Sequence, residues 1–223
     1  LSAFLVMVLV VMQGLPVGRQ TLSDQSLTSR LKIAWADTTY RRLLGVFFAN
    51  GVASAFPATL FVFYVTDVLQ APDKTGLLLG TYFLAAAMAV PVWVRMAQSL
   101  GRPLTWILAM AIAVVSFSGA AFLGAGDWLW FLLICIGSGI AVGTDLTIPA
   151  SMVADLGEKH QAAGTYFGVW NLVAKINLAL AAGIALPLLA VFDYAPGSAA
   201  HTDALVAAYV LLPLVLKCLA IFL

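Results

Sequence analysis

Charge is what this chain has least of. Only 9% of its 223 residues are Asp, Glu, Lys or Arg, while 63% are hydrophobic; ordinary soluble domains run near about 25% charged. A water-soluble fold of this length cannot cover its surface with so few charges, so the composition predicts an integral membrane protein in contact with a lipid bilayer. Cysteine is scarce too. Cys135 and Cys218 fall inside apolar runs, with no His or Cys near them at ligand spacing, which argues against a disulfide and against a metal site. The net charge is +1 and no basic patch stands out, so nothing points to nucleic acid. The sequence offers no nucleophile beside a base, no glycine-rich phosphate loop and no paired carboxylates. The chain therefore reads as neither an enzyme nor a carrier of a cofactor.

Long apolar runs are what it has in abundance. A helix needs about 20 apolar residues to cross the hydrocarbon core. On that ruler the chain holds a partial span at 1–15 and six complete ones near 43–66, 75–95, 103–124, 128–152, 164–192 and 204–223. A β-barrel is excluded because its strands alternate over about ten residues, and these runs do not. The fold class is all-α. Leu1 opens the chain without an initiator methionine, a basic leader or a cleavage site, and LKCLAIFL closes it within apolar sequence. The chain is accordingly expected to be a piece of a larger protein. Its 18 glycines suit close-packed membrane helices, and GSGIAVG (137–143) reads as a helix-packing stripe. Pro57, Pro91, Pro149 and Pro187 lie inside apolar runs, where kinks are expected.

The one long polar segment is 18–42, GRQTLSDQSLTSRLKIAWADTTYRR. It reads either as a short helix on the membrane surface or as a solvated linker. Connectors on its side hold Arg19, Arg30, Lys32, Arg41, Arg42, Arg95, Arg102 and Lys159; those on the other side hold Lys74 with Asp67, Asp73, Asp127, Asp193 and Asp203. The asymmetry predicts that 18–42, 96–102 and 155–163 are cytoplasmic loops. Lys217, near the same end of the last span, can snorkel outward and needs no special role.

Two charges then remain at membrane depth, Asp145 in AVGTDLTIPAS and Lys175 in GVWNLVAKINLALAAG. An ion in hydrocarbon costs about 2.5–3.5 kcal/mol, so each is expected to face the interior or a watery cavity. At 1.5 Å per residue their depths differ by roughly 5 Å, so they either pair directly or line one cavity. Helix phase places Asn171 with Lys175 on one face and Tyr166, Trp170 and Asn177 on another. One face is expected to meet a central cavity and the other a neighbouring helix. Tyr166 also fits an interfacial aromatic belt, and Asn171 an interhelical hydrogen bond. Asp145, Tyr166, Trp170, Asn171, Lys175 and Asn177 are the candidate cavity residues. Asn50, Thr59, Tyr64 and Tyr82 are weaker contributors to a polar lumen.

The connector PVWVRMAQSLGRP (91–103) and the block SMVADLGEKHQAAGTYFGVWNLVAKINLALAAG (151–183) resemble the glycoside–pentoside–hexuronide cation symporters, the melibiose-permease-like branch of the major facilitator superfamily. The resemblance covers nearly the whole chain. It implies twelve helices in two six-helix halves, with this chain holding the end of helix six (1–17), the joining loop (18–42) and helices seven to twelve (43–223). It implies cation-coupled symport of a sugar, glycoside or related solute by alternating access, in a bacterial inner membrane. The coupling cation would be Na⁺ or H⁺, with ligands mainly in the N-terminal half, the partner of this one. It also implies that Lys175 holds the place of a helix-eleven lysine near the cation and sugar. ADLGEKHQAAG is shorter and less charged than the family's D-x-x-D-Y-D-E loop. A lysolipid carrier of the same fold and a non-transporting membrane partner or scaffold are the alternative readings.

Overall fold

The computed structural model describes residues 27–191, 194, 197 and 202–223. The expected partial span at 1–17, Arg19 with the first part of the 18–42 segment, and Asp193 with most of its connector lie outside the described residues. The described residues are helical, without a strand.

A short helix, α1 (Leu27–Ala36), occupies the second half of the long polar segment. Ala34 is buried, while Leu31 and Trp35, four residues apart, are exposed on another side. Asp37 breaks the helix in an extended conformation. Its carboxylate accepts from the backbone N–H groups of Thr39 and Tyr40, at 2.9 and 3.2 Å, and so caps the next helix. Because of that cap, the first span begins at Thr38 rather than near residue 43.

Among the described residues, six helical segments are long and apolar enough to cross a membrane: α2 (Thr38–Val68), α3 (Pro72–Leu100), α4 (Arg102–Phe122), α5 (Trp128–Lys159), α6 (Ala163–Val191) and α7 (Thr202–Phe222). Each overlaps one of the six runs read from the sequence. The expected loops 96–102 and 155–163 are mostly helix. α3 continues to Leu100 and α4 begins at Arg102, while α5 continues to Lys159 and α6 begins at Ala163. Polar residues end a hydrophobic run, but they do not end a helix that emerges from the hydrocarbon. What ends α3 is Gly101, at φ 83° and ψ 151°, a conformation that glycine adopts without a side-chain clash.

The helix continues through Pro57, Pro91 and Pro187. Of the four expected kink sites, Pro149 coincides with a break. α5 divides into Trp128–Asp145 and Ile148–Lys159, because a proline lacks the N–H that would continue the ladder. Asp145 is the last helical residue before the break. Two wider π-turns, Tyr64–Val68 and Ala207–Leu211, sit within α2 and α7.

The packing has an exchange pattern. α2 packs against α6 and α7, and α5 packs against α3 and α4. Thus the first helix of each three-helix group is held by the second and third helices of the other. α2 starts at the end rich in Arg and Lys, whereas α5 starts at the acidic end. Two three-helix units of opposite direction interlocked in this way match the inverted-repeat plan of many secondary transporters.

The stripe 137–143 acts as expected. A side-chain carbon on Gly139 would meet the Tyr82 carbonyl oxygen, and one on Gly143 would lie 2.6 Å from that of Ala86. α3 and α5 therefore approach at backbone distance. Trp93 Nε1 reinforces the pair by donating to the Ile140 carbonyl at 2.7 Å.

Two large apolar clusters fill much of the bundle. One gathers Leu60, Tyr64, Leu69, Phe131, Leu205 and Tyr209 toward the acidic end. The other gathers Tyr40, Leu43, Trp106, Met110, Tyr166 and Trp170 toward the basic end. Large apolar side chains such as Phe83, Met88, Val115, Leu133, Leu178 and Val215 cover the outside, as a bilayer requires.

Candidate functional site

A cavity of about 320 Å³ lies among α2, α3, α4, α5 and α7. α2 and the first part of α5 supply facing walls. Phe61, Phe83, Phe117, Phe131, Leu79 and Leu214 make it predominantly apolar. Toward the acidic end Phe131 and Tyr209 line it, and both rings pack on Tyr64, with centroids 5.1 and 4.2 Å away. Leu79 and Phe83 are exposed at its rim.

Asp145 and Lys217 line the same cavity. Their side chains are 17% and 13% exposed, so both ions are largely withdrawn from solvent. Each has a partner of its own. Trp106 Nε1 donates to Asp145 Oδ1 at 2.7 Å, and Lys217 Nζ donates to Asn50 Oδ1 at 2.6 Å. The two charges face one another at 3.7 Å, Nζ to Oδ2, an ion pair too long for a direct hydrogen bond. Four helices thus contribute to one polar cluster: α2 (Asn50), α4 (Trp106), α5 (Asp145) and α7 (Lys217).

This corrects one reading of the sequence. Lys217 does not snorkel to the surface; it is the largely buried counter-ion of Asp145. The run ALVAAYVLLPLVLKCLAIFL held the signal, a third ion inside a span. Nearness to the end of the run concealed it, because sequence distance from a helix end does not say which way the side chain points. Trp106 carried no recognisable signal, and Asn50 only a weak one.

Lys175 lies elsewhere. It and Asn171 are exposed on the outside of the bundle, and among the described residues Lys175 has no ion-pair partner. Tyr166, Trp170 and Asn177 lie on the buried side of α6. The separation of the two faces, expected from helix phase, is observed, and the second face packs against α2. Trp170 stacks on Phe47 with ring centroids 3.4 Å apart. Asn177 Nδ2 lies 3.5 Å from the Phe47 carbonyl oxygen, a marginal bond, and the Asn177 amide fills the space beside Gly51. None of these three residues borders the cavity.

Tyr166 belongs to a polar knot at the basic end. Its hydroxyl contacts Asp37 Oδ2 at 3.3 Å and His160 Nδ1 at 3.0 Å, and its carbonyl accepts from the Tyr40 hydroxyl at 2.5 Å. The knot ties the entrance of α2 to the turn between α5 and α6. Beside it, Arg102 pairs with Asp155 and donates to the Ser151 carbonyl at 3.3 Å, joining α4 to α5.

A corresponding tie closes the acidic end. Asp67, expected in an exposed connector, is buried in the π-turn of α2. It accepts from the Tyr194 hydroxyl and, at 2.9 Å, from the Gly197 N–H. Burial, and then this bond, raise the Tyr194 phenol above its ordinary range and keep it protonated.

Six apolar spans in two interlocked groups, around a cavity with a buried ion pair, define an integral membrane protein with the architecture of a transporter half. The family described as MFS/sugar transport protein matches residues 3–223. An uncharacterized symporter of Synechocystis is 23% identical over 164 residues, covering 69% of this chain and 30% of that protein. The chain therefore spans less than a third of the relative's length. It belongs to the MFS/sugar transport protein family, a family of transporters and not of enzymes.

Proposed function

We propose that this chain forms one half of a secondary carrier that moves a sugar, glycoside or related small solute by alternating access, coupled to Na⁺ or H⁺. The observation that carries the reading is the cavity between the repeats with the Asp145–Lys217 pair in its wall. Carriers of this kind bind their solutes near the bilayer midplane at a repeat interface. Two ions are kept in an otherwise apolar interior, where replacement by apolar side chains is often neutral or stabilising. Their retention supports a functional demand.

The exposed Asn171–Lys175 face supports a second half. A lysine facing hydrocarbon is costly, whereas one facing the companion six helices lines the central solute path. In this reading Lys175 balances acidic cation ligands supplied by that half. The basic end faces the cytoplasm, of a bacterial cell in the family resemblance, following the positive-inside asymmetry.

The apolar cavity lining favours a second reading, a lysolipid carrier of the same fold. Uptake by the complete transporter in proteoliposomes distinguishes these possibilities, using labelled sugars, glycosides and lysolipids under imposed Na⁺ or H⁺ gradients. Sugar or glycoside uptake driven by a cation gradient supports the first reading. Lysolipid uptake alone supports the second, and no uptake of any solute supports a non-transporting membrane partner.

A further inference from the structure

The ion pair is split in a way that leaves hydrogen-bonding capacity between its members. Asp145 Oδ1 is engaged by Trp106, and one Lys217 proton by Asn50. Among the described residues, Asp145 Oδ2 accepts no hydrogen bond, and Lys217 retains two further donors. The 3.7 Å between Nζ and Oδ2 exceeds a hydrogen bond, and an oxygen lying beside the pair, about 2.8 Å from each atom, would bridge the two. Trp106 and Asn50 each hold one member of the pair, so this spacing is set before any ligand arrives.

We propose that this cavity binds an uncharged molecule with an apolar body and a hydroxyl head, the hydroxyl donating to Asp145 and accepting from Lys217. The inference deepens the carrier reading and rests on it for physiological use. A hydroxyl suits the opening because it both donates and accepts. Charged heads fit worse. The pair is already neutral, so an anion meets Asp145, a cation meets Lys217, and either adds a net charge to an apolar site. The rest of the lining prescribes the body. Phe61, Phe117, Phe131 and Leu214 offer rings and methyl groups, and about 320 Å³ lies in the range of small-molecule sites.

The test is scintillation-proximity binding of tritiated 2-(2-naphthyl)ethanol to the complete transporter in lipid nanodiscs. Saturable binding is expected. 2-Ethylnaphthalene, which lacks the hydroxyl and so loses both charge-assisted hydrogen bonds, should compete at least about tenfold less well. 2-Naphthylacetate and 2-(2-naphthyl)ethylammonium should compete less well still. The double variant Asp145→Leu/Lys217→Met removes both charges without stranding one, and should erase the preference for the alcohol over 2-ethylnaphthalene. Ala58→Trp, at an exposed cavity-lining position, should block binding while leaving the ion pair intact. Non-saturable partitioning, equal competition by the charged analogues, or wild-type binding by Ala58→Trp would overturn the inference. Solute uptake without alcohol binding rejects this site and leaves the carrier reading standing. Alcohol binding without uptake of any solute does the reverse.

Discussion

Lys217 Nζ lies 3.7 Å from Asp145 Oδ2, with its other contact to Asn50 at 2.6 Å, so the carboxylate of α5 is neutralised from α7. Removing one ion of a buried pair strands the other. Lys217→Met in the complete transporter is expected to lose about 3–5 kcal/mol of stability. Adding Asp145→Leu should restore most of it. Thermal unfolding in detergent checks both. Equal instability of the single and double variants would contradict the pairing.

Gly143 faces the Ala86 carbonyl so closely that an added methyl carbon would lie 2.6 Å from that oxygen. The neighbour is backbone and cannot rotate away. Gly143→Ala should therefore cost about 1–3 kcal/mol through overpacking. Gly80, also helical but exposed with open space around it, is the control. Gly80→Ala should be neutral or stabilise by about 0.5–1 kcal/mol, the helix-propensity gain. Unfolding midpoints of the two variants must move apart; movement together would refute the close approach of α3 and α5.

The polar knot at the basic end makes a separate prediction. Asp37→Ala removes the cap of α2 and a contact of Tyr166, with an expected cost of about 1–2 kcal/mol. Tyr166→Phe keeps the ring and deletes the hydroxyl, and should cost about 1 kcal/mol. Hydrogen exchange at the Thr39 and Tyr40 amides reads the difference. It should quicken strongly in Asp37→Ala, where their acceptor is gone, and less in Tyr166→Phe. The reverse order would show that the cap does not anchor the helix entrance.

Lys175 is exposed and without an ion-pair partner among the described residues, so its role divides cleanly from stability. Lys175→Ala removes no packing contact within this half, so the stability of the complete transporter should change by less than about 1 kcal/mol. It should nevertheless alter the cation dependence of solute uptake. Uptake with unchanged cation dependence would remove Lys175 from the coupling path.

Much of the fold was legible because its signals are local. Each apolar run became one span, and the spacing of Asn171 and Lys175 against Tyr166, Trp170 and Asn177 separated the exposed and buried faces of α6. The stripe 137–143 was legible for the same reason, since small residues at helical spacing leave room only for another backbone. Connector boundaries were less legible. Arg102, Asp155 and Lys159 look like loop residues when hydropathy is the guide, yet they extend helices beyond the apolar layer. Asp67 looked solvent-exposed because its burial depends on Tyr194 and Gly197, which arrive from another connector.

What the sequence determined by itself is the set of membrane-crossing helices, their alternating direction and the polar faces they carry. These follow from hydrophobic length, charge asymmetry and a 3.6-residue period, all properties of a contiguous segment. What only the tertiary structure decided is which cation meets Asp145. Chain order places Lys175 on the adjoining helix, but the interlocked packing of the two three-helix groups brings α7 and Lys217 to the carboxylate. The choice depends on which helices become neighbours in space, a relation that no single segment contains.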